Sequence, residues 1–123
     1  MLRKYTAIGA AIALLGVAFG AFGAHVLEKQ LSAEDFDIFE TGVRYQMYHG
    51  LGILIVALLS ERLPSPGWVR WAARLLLAGV ILFSGSLYLL VFSGVRQLGA
   101  VTPIGGVALL AGWLCLLLSA RQK

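Results

Sequence analysis

The sequence predicts an all-α fold: a four-helix transmembrane bundle, N-in/C-in, with an amphipathic outer extension of helix 2, forming one integral membrane domain over residues 1–123. Three observations carry that expectation. Hydrophobic residues fill 59% of the 123 positions and charged residues only 13%, and the mean hydropathy is +0.86, far too apolar for an ordinary soluble domain. Four apolar runs, at about 5–24, 41–60, 75–92 and 98–118, each approach the roughly 20 residues that carry a helix across about 30 Å of hydrocarbon. The runs are continuously apolar rather than alternating, which excludes barrel strands and leaves helices to satisfy the backbone in lipid.

The charges give the orientation. Arg3, Lys4, Arg62, Arg70, Arg74, Arg121 and Lys123 fall at the two termini and in the second connection, whereas Glu28, Glu34, Asp35, Asp37 and Glu40 crowd the first. The positive-inside rule then puts both termini and the second connection in the cytoplasm and the first and third connections outside. This asymmetry accounts for the formal net charge of +4 without nucleic acid, and no basic patch interleaved with aromatics suggests any.

The first run follows "MLRK" and ends in "AFGA", a pattern shared with secretory signals. Its apolar length, and Phe22 three residues before a cut after Ala24, favour a retained span. Gly16 and Gly20 form a GxxxG pair, expected to serve packing inside the bundle rather than homodimerisation. The glycines and serines at 84–86, 105, 106 and 112 carry the same expectation of tight helix contacts.

Ser32, followed three residues later by Asp35, marks a helix start, with Glu34, Asp35 and Asp37 where the helix dipole favours acids. Phe36, Phe39 and Val43 recur at helical spacing, and no proline interrupts the chain before Ser60. One long helix is predicted, beginning on the outer surface and descending into the membrane. Glu40 and Arg44, four apart, are placed to pair on one face. In "ERLPSPGWVRWAAR", Pro64, Pro66 and Gly67 break the chain into two hairpins, and Trp68 and Trp71 sit beside Arg70 and Arg74 as headgroup anchors. Cys115, the single cysteine, forms no internal disulfide or cysteine cluster and reads as packing.

The second run opens on Arg44, Tyr45, Gln46, Tyr48 and His49. Counted up from Ser60 at 1.5 Å per residue, Arg44 lies about 24 Å above the inner edge and snorkels outward, whereas His49 lies about 16 Å up, in mid-membrane. An ionisable group there is either held by an interhelical hydrogen bond or used as a proton relay or ligand site. Ser84, Ser86, Tyr88 and Thr102 are the candidate partners. His25, at the outer end of the first span, is on the order of 13 Å from the level of His49, which argues against bis-histidine haem. No metal-ligand spacing, phosphate loop or nucleophile triad is evident, so no cofactor, metal or catalytic residue is predicted. None of the four apolar cores contains Asp or Glu, which disfavours proton-coupled transport.

"GAFGAH" at 20–25, "TGVRYQMYHGLGIL" at 41–54, "FSGSLYLL" at 83–90 and "TPIGGVALLAGWL" at 102–114 together resemble the blocks of the YgdD-like family of small membrane proteins, whose defining domain is one of unknown function. The likeness runs through nearly the whole chain, with Gly50 where the family pattern has alanine after the histidine. It implies a four-span protein of the bacterial inner membrane and supplies no catalytic residues. Its motif positions make a candidate polar cluster of His25, Arg44, Tyr45, Gln46, His49, Ser84, Ser86, Tyr88 and Thr102 beneath the outer surface. The function expected is structural or accessory, through packing in the lipid bilayer, a membrane-protein partner or a homo-oligomer. The alternative is a small transporter or a lipid- or quinone-binding protein using the cluster around His49.

Overall fold

The computed structural model describes residues 1–121; Lys123, counted above among the C-terminal cations, lies outside the described residues. The chain is all-helical, with four long helices: α1 (Leu2–Phe22), α2 (Ala33–Leu59), α3 (Pro66–Ser93) and α4 (Thr102–Ser119). Three helical segments, Leu2–Gln30, Pro66–Ser93 and Arg96–Ser119, are long and apolar enough to cross a membrane. In α2 the acids at 34, 35, 37 and 40 and the polar group at 44–49 lower the hydropathy, leaving only its second half apolar.

Local chemistry sets the helix ends. The Ser32 hydroxyl accepts from the Asp35 N–H at 3.1 Å, the predicted cap, worth about 1 kcal/mol. From there α2 runs unbroken for 27 residues. Pro66 does not lie outside a helix but opens α3, where its missing N–H costs nothing. Hence α3 begins nine residues before the predicted span at 75–92, with Val69, Ala72, Ala73 and Leu76 already forming its buried face. It stops at Gly94, whose φ of +75° suits glycine and whose N–H returns to the Leu90 carbonyl at 2.9 Å. Between Phe22 and Ser32 the chain makes a π turn at Gly23–Leu27 and a short helical turn at Glu28–Gln30.

Sequence neighbours pack side by side and antiparallel, in the order α1, α2, α3, α4. Gly9 faces Gly50 and Gly23 faces Phe39; Gly52 reaches Leu76 and Gly42 reaches Tyr88; Gly79 faces Leu109 and Gly112 faces Leu76. Both described ends and the 60–65 connection therefore lie at one end of the molecule, and the other two connections at the opposite end. The GxxxG pair is used within the chain. A Cβ on Gly16 would come 2.5 Å from Met47 Sδ, and one on Gly20 would come 3.4 Å from Val43 Cγ1.

One core cluster joins Ile53, Val56 and Ala57 of α2 to Val69, Ala72, Ala73 and Leu76 of α3, with Cys115 among them; a second, at the other end, groups Leu27, Phe39, Leu90 and Val91. The outer faces stay apolar: Leu58, Leu110 and Leu117 are 70%, 72% and 68% exposed, an arrangement suited to lipid and not to water.

Candidate functional site

The polar side chains of α2 divide between two faces. Gln46 points toward α1 and α3. Its Nε2 donates to the Ile12 carbonyl at 2.9 Å, and its Oε1 accepts from the Tyr88 hydroxyl at 2.6 Å. The Ile12 oxygen can only accept, which fixes the amide orientation and makes Tyr88 the donor. Tyr88 reaches Gln46 by lying across Gly42, where a Cβ would stand 2.7 Å from its ring. Phe19 and Phe39 meet that ring edge-on, with centroids at 5.4 and 5.3 Å. Ser84 donates to the Gly42 carbonyl at 2.7 Å. Three helices are thus tied by one glutamine, one tyrosine and one serine.

On the other face, toward α4, His49 Nδ1 lies 2.8 Å from the Tyr45 carbonyl and Nε2 lies 3.0 Å from Trp113 Nε1. An indole N–H only donates and a carbonyl only accepts, so the ring is neutral with its proton on Nδ1. Both nitrogens are occupied, and neither is free to ligate a metal. The Tyr45 ring stacks on Phe83 with centroids 4.3 Å apart. Between α2 and α4 these side chains border a cavity of about 480 Å³, with Phe83 at its base and Val107, Leu110 and Trp113 along its side. One turn farther toward the loop end, the hydroxyls of Ser86 and Thr102 are 2.5 Å apart and join α3 to α4.

The candidate residues therefore do not form one cluster. Gln46, Ser84 and Tyr88 meet at the α1–α2–α3 contact; Tyr45 and His49 turn toward α4; Ser86 and Thr102 make a separate link. His25 is exposed on the π turn, and Arg44 is exposed on α2. Arg44 is not held by Glu40; its guanidinium donates to Thr41 Oγ1 at 3.1 Å. None of Ser84, Ser86, Tyr88 or Thr102 bonds to His49, because Tyr88 is directed to Gln46 and His49 faces α4. Trp113, the true side-chain partner, was not among the predicted residues. Its signal was present, since an indole in an apolar helix needs an acceptor. Gly42 and the Ile12 carbonyl had no such signal: one contributes an absent side chain, the other a backbone oxygen.

Outside the apolar body, Arg96 lies 3.0 Å from Asp35 Oδ1, tying the α3–α4 connection to the start of α2. The contact is an ion pair off the axis of a hydrogen bond to that oxygen, which has no hydrogen-bond partner. Among the described residues, Asp35 Oδ1 is the one buried side-chain polar atom left without a hydrogen bond, and no group of three or more His, Cys, Asp or Glu side chains is placed to hold a metal ion.

Residues 19–106 match the family described as "Protein of unknown function (DUF423)". The chain is 46% identical over 118 residues to UPF0382 membrane protein SH2409 of Staphylococcus haemolyticus, covering 96% of this chain and 95% of that protein. It is 44% identical over 119 residues to UPF0382 membrane protein YwdK of Bacillus subtilis, covering 97% of each. To UPF0382 inner membrane protein YgdD of Escherichia coli K12 it is 45% identical over 121 residues, covering 98% of this chain and 92% of the relative. No solved structure matches. With matches along nearly its whole length, and with helices apolar enough to cross a bilayer, the chain belongs to the DUF423 family of membrane proteins, the YgdD-like proteins.

Proposed function

We propose that the chain crosses the inner membrane four times, with both termini and the 60–65 connection in the cytoplasm, and acts as a compact structural or accessory protein. Its partner is a membrane protein or another copy of itself. The charge distribution supports the orientation, and the antiparallel packing of four long helices supports the four spans. In this reading α2 is the least apolar span because its polar side chains are spent on neighbouring helices.

One observation carries the functional reading: the buried polar side chains of the helices already have hydrogen-bond partners within the chain. Gln46, His49, Ser84, Ser86 and Ser119 all have partners within the chain. A transport path or proton relay needs groups that exchange partners, and a saturated set instead holds helices in place. The second reading, a lipid- or quinone-binding protein, draws on the cavity beside His49.

Native mass spectrometry of the protein released gently from its own membrane tests the choice. A bare chain, or one held by another protein, is expected; a stoichiometric polar small-molecule adduct would refute the accessory reading. Topology is tested separately by placing single cysteines at Asp37, Arg62 and Gly99 in a Cys115→Ala background. An impermeant maleimide is expected to label the first and third in intact cells but not the second.

A further inference from the structure

Three faces of α2 are taken by its own chain. Val43 and Met47 turn to α1, Gly42 and Gln46 to α3, and His49 and Gly52 to α4. The fourth face is open. Its exposed residues from Arg44 inward are Arg44, Tyr48, Leu51, Ile55 and Leu58, at steps of four, three, four and three. That spacing is a repeat of 3.5 residues, the seam along which two helices pack at a shallow angle in water or in lipid.

The inner half of this face suits lipid, but the outer half does not. Tyr48 is 56% exposed and stands about 18 Å above the inner edge, below the headgroup level that tyrosine favours. Glu40 and Arg44 are both exposed and border one cleft at the α1 edge of the face. They do not pair with each other. Among the described residues the one ion pair is Arg96–Asp35, and the Arg44 guanidinium turns to Thr41 Oγ1, toward the outer rim.

Opposite charges one turn apart on an open face make that face complementary to itself. Two copies inserted in one orientation meet about an axis along the membrane normal, which sets their α2 helices parallel and level. Each residue then faces those of the second copy one turn above and below, so Arg44 of each copy reaches Glu40 of the other. The two arginines also approach each other. Asp37 and Glu40 of both copies, four carboxylates on the same exposed face, lie just above and offset that repulsion.

We propose that a second copy of this chain covers the open face of α2, giving a parallel two-fold dimer. Leu51, Ile55 and Leu58 form its apolar seam, and Arg44–Glu40 pairs are exchanged at the outer rim. Tyr48 lies against the second copy instead of in lipid. The GxxxG pair of α1 takes no part, being packed on α2 of its own chain. The inference deepens the accessory reading by naming the partner, and it rests on α2 crossing the membrane.

Disulfide trapping tests the surface. Leu51→Cys and Leu58→Cys, each in the Cys115→Ala chain, are oxidised with copper phenanthroline in native membranes. Leu14→Cys on α1 and Leu110→Cys on α4, 68% and 72% exposed in the parent chain, serve as controls. Linked dimers are expected at 51 and 58 and not at 14 and 110. Equal linking at all four positions, linking at 14 or 110 alone, or links from 51 and 58 to a different protein would overturn the proposal. The charges are tested by energy transfer between labelled copies in vesicles of phosphatidylethanolamine and phosphatidylglycerol. Arg44→Glu is expected to weaken dimerisation about tenfold, the loss of two rim ion pairs. Adding Glu40→Arg reverses the pair and should restore dimerisation, which also shows that the variant folds. Unchanged dimerisation in Arg44→Glu, or no recovery in a double variant of parental helical content, would count against the exchanged pairs. The cysteine labelling described above decides the topology independently. If α2 labels as a span while 51 and 58 do not link, the dimer fails and the four-span reading stands.

Discussion

Replacing Gly105 by alanine, with the adjacent Gly106→Ala as its control, tests how closely α3 and α4 approach. An added Cβ at Gly105 would lie 2.5 Å from the Phe83 nitrogen, 2.9 Å from its Cα and 3.0 Å from the Gly79 oxygen. All three are backbone atoms, so no side chain can rotate away. Relief to an ordinary contact of about 3.5 Å requires the helices to part by about 1 Å. The same seam holds Gly79 against Leu109 and Gly112 against Leu76, so those contacts loosen as well. Overpacking of this kind costs about 1–3 kcal/mol, and alanine's better helix propensity returns roughly 0.5–1 kcal/mol. At Gly106 only the propensity gain applies, since its nearest neighbour would be 3.9 Å away. The two variants should therefore differ by about 1–3 kcal/mol, Gly105→Ala being the less stable, in reversible unfolding from bicelles into sodium dodecyl sulfate. Equal midpoints, or a more stable Gly105→Ala, would refute the backbone contact.

Tyr88→Phe keeps both edge-on aromatic contacts and removes one hydroxyl, so it should cost about 0.6 kcal/mol, the average for interhelical hydrogen bonds in membranes, and no more than about 1.7 kcal/mol, their maximum. Unfolding of the Tyr88→Phe, Gln46→Leu double variant should then be less severe than the sum of the two singles. Trp113→Phe strands His49 Nε2 and should cost about 1–3 kcal/mol. Adding His49→Phe should recover part of that loss in the same unfolding assay, because the unpaired nitrogen is then gone.

Much of the fold was legible because lipid makes few demands and makes them strictly. Continuous apolar runs located the helices, and the serine before an acidic turn gave the start of α2 to the residue. Where α3 begins was not legible, because proline breaks a helix in its interior but opens one at its first turn, and composition alone does not say which applies to Pro66. The site was read less well. His49 was legible as a buried polar group needing a partner, but the choice among Tyr88, Ser84, Ser86, Thr102 and Trp113 depends on which face of α2 meets which helix. A rotation of 100° per residue separates neighbouring side chains, so Gln46, next to Tyr45 in sequence, belongs to a different contact from Tyr45 and His49, which share a face. Arg44 and Glu40 had the right spacing to pair, yet the nearer Thr41 hydroxyl took the guanidinium.

The hydrogen bonds from Tyr88 to Gln46 and from Ser84 to Gly42 cross the one boundary between the two hairpins. Apolar helices in oil slide past one another at little cost, since a leucine one turn away packs as well as the last. These two directional bonds, four residues apart, and the Trp113–His49 bond from α4 act as the teeth of a key: they engage at one depth and at no other. With these bonds made, the two halves of the chain settle at a single relative height.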